Sequence, residues 1–398
     1  MLDRYGPQVM QSLGALARCP ACPRGRVCHV RDVVARRAFL YRPRGLCLCH
    51  ESKYWTSITF ARNVVGAANA ITGGLGLAGI GVAFLVLPFV FQLITGGGHV
   101  SEDVAWRLTI ALPALLMLVM GLVIRVAVDS CPTGAFHDLL ERKQRAQGAE
   151  PSNRPPPSTW LASFRLVVTD TNVLIMMVQY AASFGTELQL NNMGALYFYQ
   201  EFTTTECTEG TSCSLLSPTS AATVASSFGL MNAFARALGG LVSDALNRRH
   251  GLRGRQYGQF VLLCLVPALV LAFRHATSIG PSVAFYVLLA IAAQATGGSA
   301  YGIVPYLNEQ HIGTVNGVVV GAGGNLGGAL FRVVFRTTGS YQTGLLYMAI
   351  FILSTALLTP LLRFAHVNDQ VDAREDAEPD ASPSAHDRPT DESSRSYN

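Results

Sequence analysis

Two ionisable side chains stand where the sequence is otherwise apolar. Arg236 follows a run from 210 to 235 without one Asp, Glu, Lys or Arg, and Glu187 interrupts the equally apolar segment 173 to 200. A charged group at mid-depth in a bilayer costs about 2.5 to 3.5 kcal/mol, so such residues mark a pathway or a paired interior site. In "SSFGLMNAFARALGGLVSD" helical spacing gathers Gly229, Asn232, Ala233, Arg236, Gly239, Gly240 and Ser243 on one small, polar face. That face directs Arg236 into the protein, either as a functional cation or as an arginine neutralised by a structural carboxylate. In "VLIMMVQYAASFGTELQLNNMGALYFY" the same spacing aligns Tyr180, Ser183, Glu187 and Asn191. Glu187 is a coupling or a structural group, and Asn191 and Asn192 are expected to serve interhelical hydrogen bonding.

A third stretch, "VVVGAGGNLGGALF", places Asn325 among glycines. Gly313, Gly317, Gly321, Gly324 and Gly328 recur at helical spacing and form a column without side chains along one face. Such a column lets a neighbouring helix approach closely, and it leaves backbone and amide dipoles reachable from a cavity.

These groups need apolar helices to hold them, and the composition supplies them. Half of the 398 residues are hydrophobic and 14% are charged, against about 25% in an ordinary soluble domain; the mean hydropathy is +0.31. Uncharged runs cover 64 to 101, 210 to 235, 256 to 273, 275 to 308, 310 to 331 and 337 to 362, each near or above the roughly 20 residues that cross a bilayer. With 108 to 124 and 173 to 200 they predict eight spans in an all-α membrane protein. No cleaved signal peptide is expected, because no charged n-region followed by an apolar h-region opens the chain.

Charge sets the expected orientation. Arg142, Lys143, Arg145, Arg154 and Arg165 lie in the connection between Asp129 and Asn172, and Arg248, Arg249, Arg253 and Arg255 lie in "NRRHGLRGR". Both are predicted to be cytoplasmic, since basic residues in short loops stay on that side. The loops "GGGHVSED" and "EFTTTECTEGTSC" hold no Lys or Arg and are predicted to face outward. From His366 onward nine acidic residues outnumber three arginines, a net charge of −6 in a chain of +5 overall. That tail has little to bury and is predicted to be disordered and cytoplasmic. Cys207 and Cys213 form a disulfide or remain two surface thiols, and Cys131 and Cys264 are packing residues.

"GAGGNLGG", "SFGTELQLNN", "FGLMNAFARALGGLVSD" and "YGIVPYLNEQHIGTVNG" resemble the corresponding parts of the nitrate/nitrite porter family of the major facilitator superfamily, from about Ser52 to about Leu362. The resemblance implies two six-helix halves with substrate at midplane between them. It makes the glycine stretch, with Gly321, Gly324, Asn325 and Gly328, similar to the family's second nitrate signature in the eleventh helix. It matches Arg236 to the anion-binding arginine of the eighth helix and Tyr180 to an aromatic residue of the seventh that lines the site. Nitrate suits such a site, because a guanidinium is a flat, permanently charged fork and nitrate a flat anion. "GGLVSDALNRRHG" resembles the superfamily's loop motif, in which Asp244 with Arg248 or Arg249 would latch the inward gate.

The chain also departs from the family. The first span, 64 to 101, matches the fifth helix, so the N-terminal half reads as incomplete, without the second-helix arginine the family sets opposite the eighth. Residues 13 to 50 are rich in Arg, Cys and Pro where the family has apolar helices, and are expected to be translated out of frame. Cys19, Cys22, Cys28, Cys47, Cys49, His29 and His50 could be zinc ligands, but their spacing is irregular and no metal is expected. The first nitrate signature is degraded to Gly73, Gly74, Leu75, Gly76 and Leu77. The expected organisation is a remnant of the N-terminal half at 1–60, its last two helices at 61–128, a cytoplasmic linker at 129–172, the C-terminal six-helix half at 173–364 and the acidic tail at 365–398.

The functional expectation is a nitrate or nitrite transporter of the plasma membrane working by alternating access, with protons as coupling ion or with nitrate/nitrite exchange. The competing expectation is a relative that does not transport and acts as a sensor, as a subunit with an accessory membrane partner, or not at all. No nucleophile with a base, metal-ligand set or phosphate loop lies in the spans, so no enzyme, cofactor or nucleic-acid partner is expected. "GAGGNLGG" lacks the preceding strand of a dinucleotide loop.

Overall fold

Backbone polar groups in lipid must be satisfied within the chain, which leaves helices as the form available to long apolar runs. The computed structural model describes residues 55–56, 59–60, 64–96, 100–127, 160–203, 214–308 and 311–363, and these are helical almost throughout. The expectations for residues 1–50, for Cys131, for Cys207 with Cys213 and for the tail at 365–398 lie outside the described residues.

The first two helices are α1 (Val65–Gly96) and α2 (Glu102–Ala127). A short α3 (Trp160–Thr169) meets α4 (Thr171–Gln200) at a bend of 80°. There Asp170 caps α4 by accepting the Asn172 N–H at 2.8 Å. Next come α5 (Pro218–Leu230), with Ser217 as N-cap and proline at its first position, and α6 (Asn232–His275). The long α7 (Ile279–Ile303) is followed by one rod from Ile312 to Thr338, made of α8 (Ile312–Asn316), a π-helical stretch (Gly317–Gly323) and α9 (Gly324–Thr338). The last helix is α10 (Tyr341–Ala356). Among the described residues the one β feature is an isolated bridge between Thr203 and Ser214.

Six helical segments are long and apolar enough to cross a membrane, and the bent α3–α4 pair makes a seventh. One of the six runs from Pro218 to His275, 58 residues. At about 1.5 Å per residue it would reach nearly three times the roughly 30 Å of hydrocarbon. It is divided at Gly251, where φ is 59° and ψ is −156°. Helix α6 therefore has two arms, and the eight expected spans are accounted for.

The packing separates an interior from a lipid-facing surface. An apolar core joins α4, α5, the second arm of α6, α7, α9 and α10, with Tyr197, Phe198, Phe228, Phe273 and Tyr286 in mutual ring contact. Helix α2 buries only Ala105, Thr109 and Gly121 and leaves Leu115, Leu116 and Val126 exposed. Helix α1 lies against α5 and the first arm of α6 through small residues. A side chain at Gly240 would lie 2.6 Å from the Ala70 Cβ and 2.6 Å from the Gly66 carbonyl oxygen, and one at Gly229 would lie 2.6 Å from the Gly81 Cα.

The Gly251 conformation belongs to a region that residues with a Cβ rarely enter, at a cost of about 1 to 3 kcal/mol. Gly251→Ala is expected to lower the thermal unfolding temperature of the purified protein. Gly280→Ala, a helical position with open space around it, should leave that temperature nearly unchanged. Equal shifts for the two would argue against a backbone constraint at Gly251.

Candidate functional site

Arg236 sits one turn beyond Asn232 on the first arm of α6 and is completely buried. Every polar edge of its guanidinium is met. Nη2 forms an ion pair with the Glu187 carboxylate from α4. Nε donates to the Asn232 side-chain oxygen at 3.1 Å, and Nη1 to the Tyr301 hydroxyl at 3.2 Å. Asn232 in turn donates to the other Glu187 oxygen at 2.8 Å, so arginine, carboxylate and amide close a ring of hydrogen bonds. The hydroxyls of Tyr180 and Tyr301 lie 2.7 Å apart. Phe184 and Tyr301 flank the guanidinium with ring centroids 5.8 and 5.5 Å away, and Phe184 stacks on Tyr180.

Glycines fix how tightly this cluster is enclosed. A side chain at Gly297 of α7 would lie 2.6 Å from Arg236 Nη1, one at Gly74 of α1 would lie 3.3 Å from its Cβ, and one at Gly324 of α9 would lie 2.6 Å from Phe184. Glu187 and Tyr180 are as closed as Arg236, with at most 1% of their surface exposed. Cavities of about 500 and 380 Å³ lie elsewhere, beside Arg336 and beside Arg274, and neither reaches this cluster. Among the described residues no three His, Cys, Asp or Glu converge as metal ligands.

A second charged cluster lies eight residues along α6, about 12 Å by helical rise. Asp244 accepts from Arg255 Nη1 at 2.6 Å and from the Ala67 backbone N–H at 2.7 Å. The same Nη1 donates to Ser243 at 3.1 Å, and the guanidinium stands 5.5 Å from the Tyr306 ring centre. Ala67 lies in the first turn of α1, where unpaired N–H groups and the helix dipole favour a carboxylate. Nε and Nη2 of Arg255 are buried without a partner.

The structure thus brings Arg236, Tyr180 and Glu187 together and corrects the pairing of Asp244. Arg248 and Arg249 are exposed, and Arg255 takes the position expected of them. The turn at Gly251 folds the second arm back beside the first, which brings a residue eleven positions on within reach. The glycine column also has a different neighbour from a cavity. A side chain at Gly185 would lie 2.6 Å from the Gly327 backbone, and one at Gly328 would lie 2.9 Å from Leu188. Gly324 and Gly328 of the column, with Gly327 between them, therefore seat α9 on α4, while a side chain at Gly317 would meet nothing within 4 Å. Gly321 is buried, while Asn325 is half-buried and donates to the Gly321 carbonyl of its own helix at 3.0 Å. Asn191 and Asn192 likewise bond to their own helix, at Glu187 and Leu188.

Three contributors went unread in the sequence. Tyr301 holds Arg236, Gly297 accommodates it, and Arg255 pairs with Asp244. The spacing of Gly297 and Tyr301 by four residues, with Gly298 and Gly302 beside them, is the signal that would have found the first two.

No family model matches the chain. It is 28% identical over 369 residues to a protein named high affinity nitrate transporter 2.5 of Arabidopsis thaliana, covering 91% of this chain and 68% of that one. It is 29% identical over 322 residues to high-affinity nitrate transporter 2.3 of Oryza sativa subsp. japonica, covering 79% of this chain and 57% of that one. The chain thus spans between 57% and 68% of the length of these curated relatives. Its fold is similar to the crystal structure of the E. coli fucose:proton symporter, with a TM-score of 0.55 at 13% identity over 90% of this chain and 82% of that one. The likeness is one of fold alone, an all-helical bundle similar to that of the symporter.

Breaking a buried ion pair by removing one partner costs about 3 to 5 kcal/mol, because the other charge is left uncompensated. Asp244→Ala is accordingly expected to destabilise the protein by about that amount, read from thermal unfolding. Arg248→Ala and Arg249→Ala should cost less than about 0.5 kcal/mol each, as exposed substitutions do. A loss at Arg248 or Arg249 as large as that at Asp244 would return the pairing to the loop arginines.

Proposed function

We propose that the chain carries nitrate or nitrite across a membrane, binding the anion at Arg236 and exposing it to the two sides in turn. The observation that carries this reading is the burial of one permanently charged guanidinium inside a membrane bundle, flanked by two aromatic rings and enclosed by glycine. A guanidinium presents paired donors in a plane, and a small planar anion with oxygens at carboxylate spacing matches them. The relatives' names supply the cargo class, and the flat, glycine-walled surroundings of Arg236 favour a small anion over a bulky one.

In this reading Tyr180 and Tyr301 line the anion's position through their hydroxyls. Gly324 and Gly328 let α9 move as one body with α4, and Gly321 and Asn325 continue the small face of that rod. Asp244 and Arg255 act as the inward latch, since they tie the start of α1 to both arms of α6. Opening on that side requires the Ala67 hydrogen bond to break. Protons are the proposed coupling ion, the plasma membrane the proposed location, and the cytoplasm the proposed side of the C-terminus.

Nitrate uptake by the full chain in a host without its own nitrate transporter tests the proposal. Arg236→Ala is expected to abolish uptake, and Arg236→Lys to weaken apparent affinity at least tenfold, because an ammonium is a point charge and not a fork. Surface and total protein would be measured alongside, so that loss of protein is not read as loss of transport. Normal uptake by Arg236→Ala removes the assigned role. Nitrate binding without flux in the unaltered chain replaces transport with sensing or a subunit role.

A further inference from the structure

Among the described residues the Arg236 cluster is electrically balanced. One guanidinium faces one carboxylate, and the two remaining guanidinium directions are taken by Asn232 and Tyr301. Around this pair the titratable groups are few. Tyr180 comes from α4 itself and Tyr301 from α7. Helices α1, α5 and α10 and the rod from Ile312 to Phe331 contain no Asp, Glu, Lys, Arg or His. Arg165 of α3 precedes the start of α4, about 24 Å by helical rise from Glu187, and on α6 the nearest acid, Asp244, is held by Arg255. Among the described residues no second cation serves this site.

A carboxylate and a nitrate present the same two-oxygen edge to a guanidinium. Glu187 meets Arg236 through one oxygen at Nη2 and gives the other to Asn232, so it holds, as an anion tethered to the protein, a guanidinium donor that an incoming anion would need. Adding nitrate while Glu187 is ionised would leave one uncompensated negative charge in a fully buried site, which is strongly disfavoured. Adding it with a proton on Glu187 leaves the site as neutral as before. The protonated carboxyl keeps an oxygen for the Asn232 amide and gains an O–H to donate to the anion.

We propose that Glu187 is the site's internal anion and its proton acceptor: nitrate displaces the carboxylate from Arg236 only as Glu187 takes up one proton. This rests on the reading of Arg236 as the anion site, and it assigns the coupling step to one side chain. The exchange balances, with one proton and one anion entering and both leaving together when the ion pair re-forms. Glu187 thus acts on affinity through the charge of the site, in addition to any contact with the anion.

Nitrate binding to the purified full chain in lipid nanodiscs, by calorimetry from about pH 5 to 9, tests it. In the unaltered protein each nitrate bound should take up one proton, seen as an enthalpy that changes with the buffer's ionisation enthalpy. Affinity should fall about tenfold per pH unit where Glu187 is ionised. Glu187→Gln should bind nitrate with an affinity that does not change with pH and without proton uptake. Proton uptake that persists in Glu187→Gln, or pH-independent nitrate affinity in the unaltered protein, would overturn the assignment and leave Arg236 as the anion site. Absence of nitrate and nitrite binding by the unaltered protein at every pH would overturn both. If Glu187→Gln does not fold, the proton count of the unaltered protein decides alone.

Discussion

A guanidinium with no access to water must have its charge balanced and its N–H groups met, and much of this bundle is arranged around that requirement at Arg236. The counter-charge comes from α4, an amide from the preceding turn of α6, and a hydroxyl from α7. Each contact needs its helix close enough for a short side chain to reach, and the glycines supply that closeness. Gly74, Gly297 and Gly324 stand where a methyl group would press on Arg236 or on the ring beside it. The small residues of three helices are in this sense part of the charge site.

The same helix carries the Asp244 cluster, and α1 and α7 touch both. Gly66 and Gly302 lie against Arg255, while Gly74 and Gly297 lie against Arg236. Along one strip of contact, α1 therefore bears on the proposed anion position and on the proposed latch. A displacement of α1 against α6 disturbs the two clusters together, because close-packed glycine interfaces have no flexible side chains to absorb the shift. This gives a physical route by which the state of one cluster reaches the other.

Helical spacing was a good guide to which side chains point inward and a poor guide to what they meet. Arg236, Asn232 and Ser243 share a buried face as their period requires, and Tyr180 and Glu187 share another. The glycine column from Gly321 to Gly328 was legible as a smooth surface, but a smooth surface serves a cavity or a neighbouring helix equally. Here Gly324 and Gly328 serve α4, and Asn325 spends its amide on its own backbone. Local reasoning also misassigned the partner of Asp244. Helical spacing points to Arg248 or Arg249 one turn away, whereas a glycine with positive φ brings Arg255 from beyond the turn.

Composition and helical period are enough to locate the apolar spans, the inward direction of the polar faces and the presence of one cation and one acid among them. Those properties follow from composition and period, which are local. That Glu187 neutralises Arg236, that Tyr301 and Gly297 complete the enclosure, and that Arg255 closes on Asp244 emerge from the packing of the helices. Pairing between helices depends on their relative depth and rotation, and those are set by where small residues permit close approach. The residues that make up the proposed site were visible along the chain, and their partners became visible once the helices were packed.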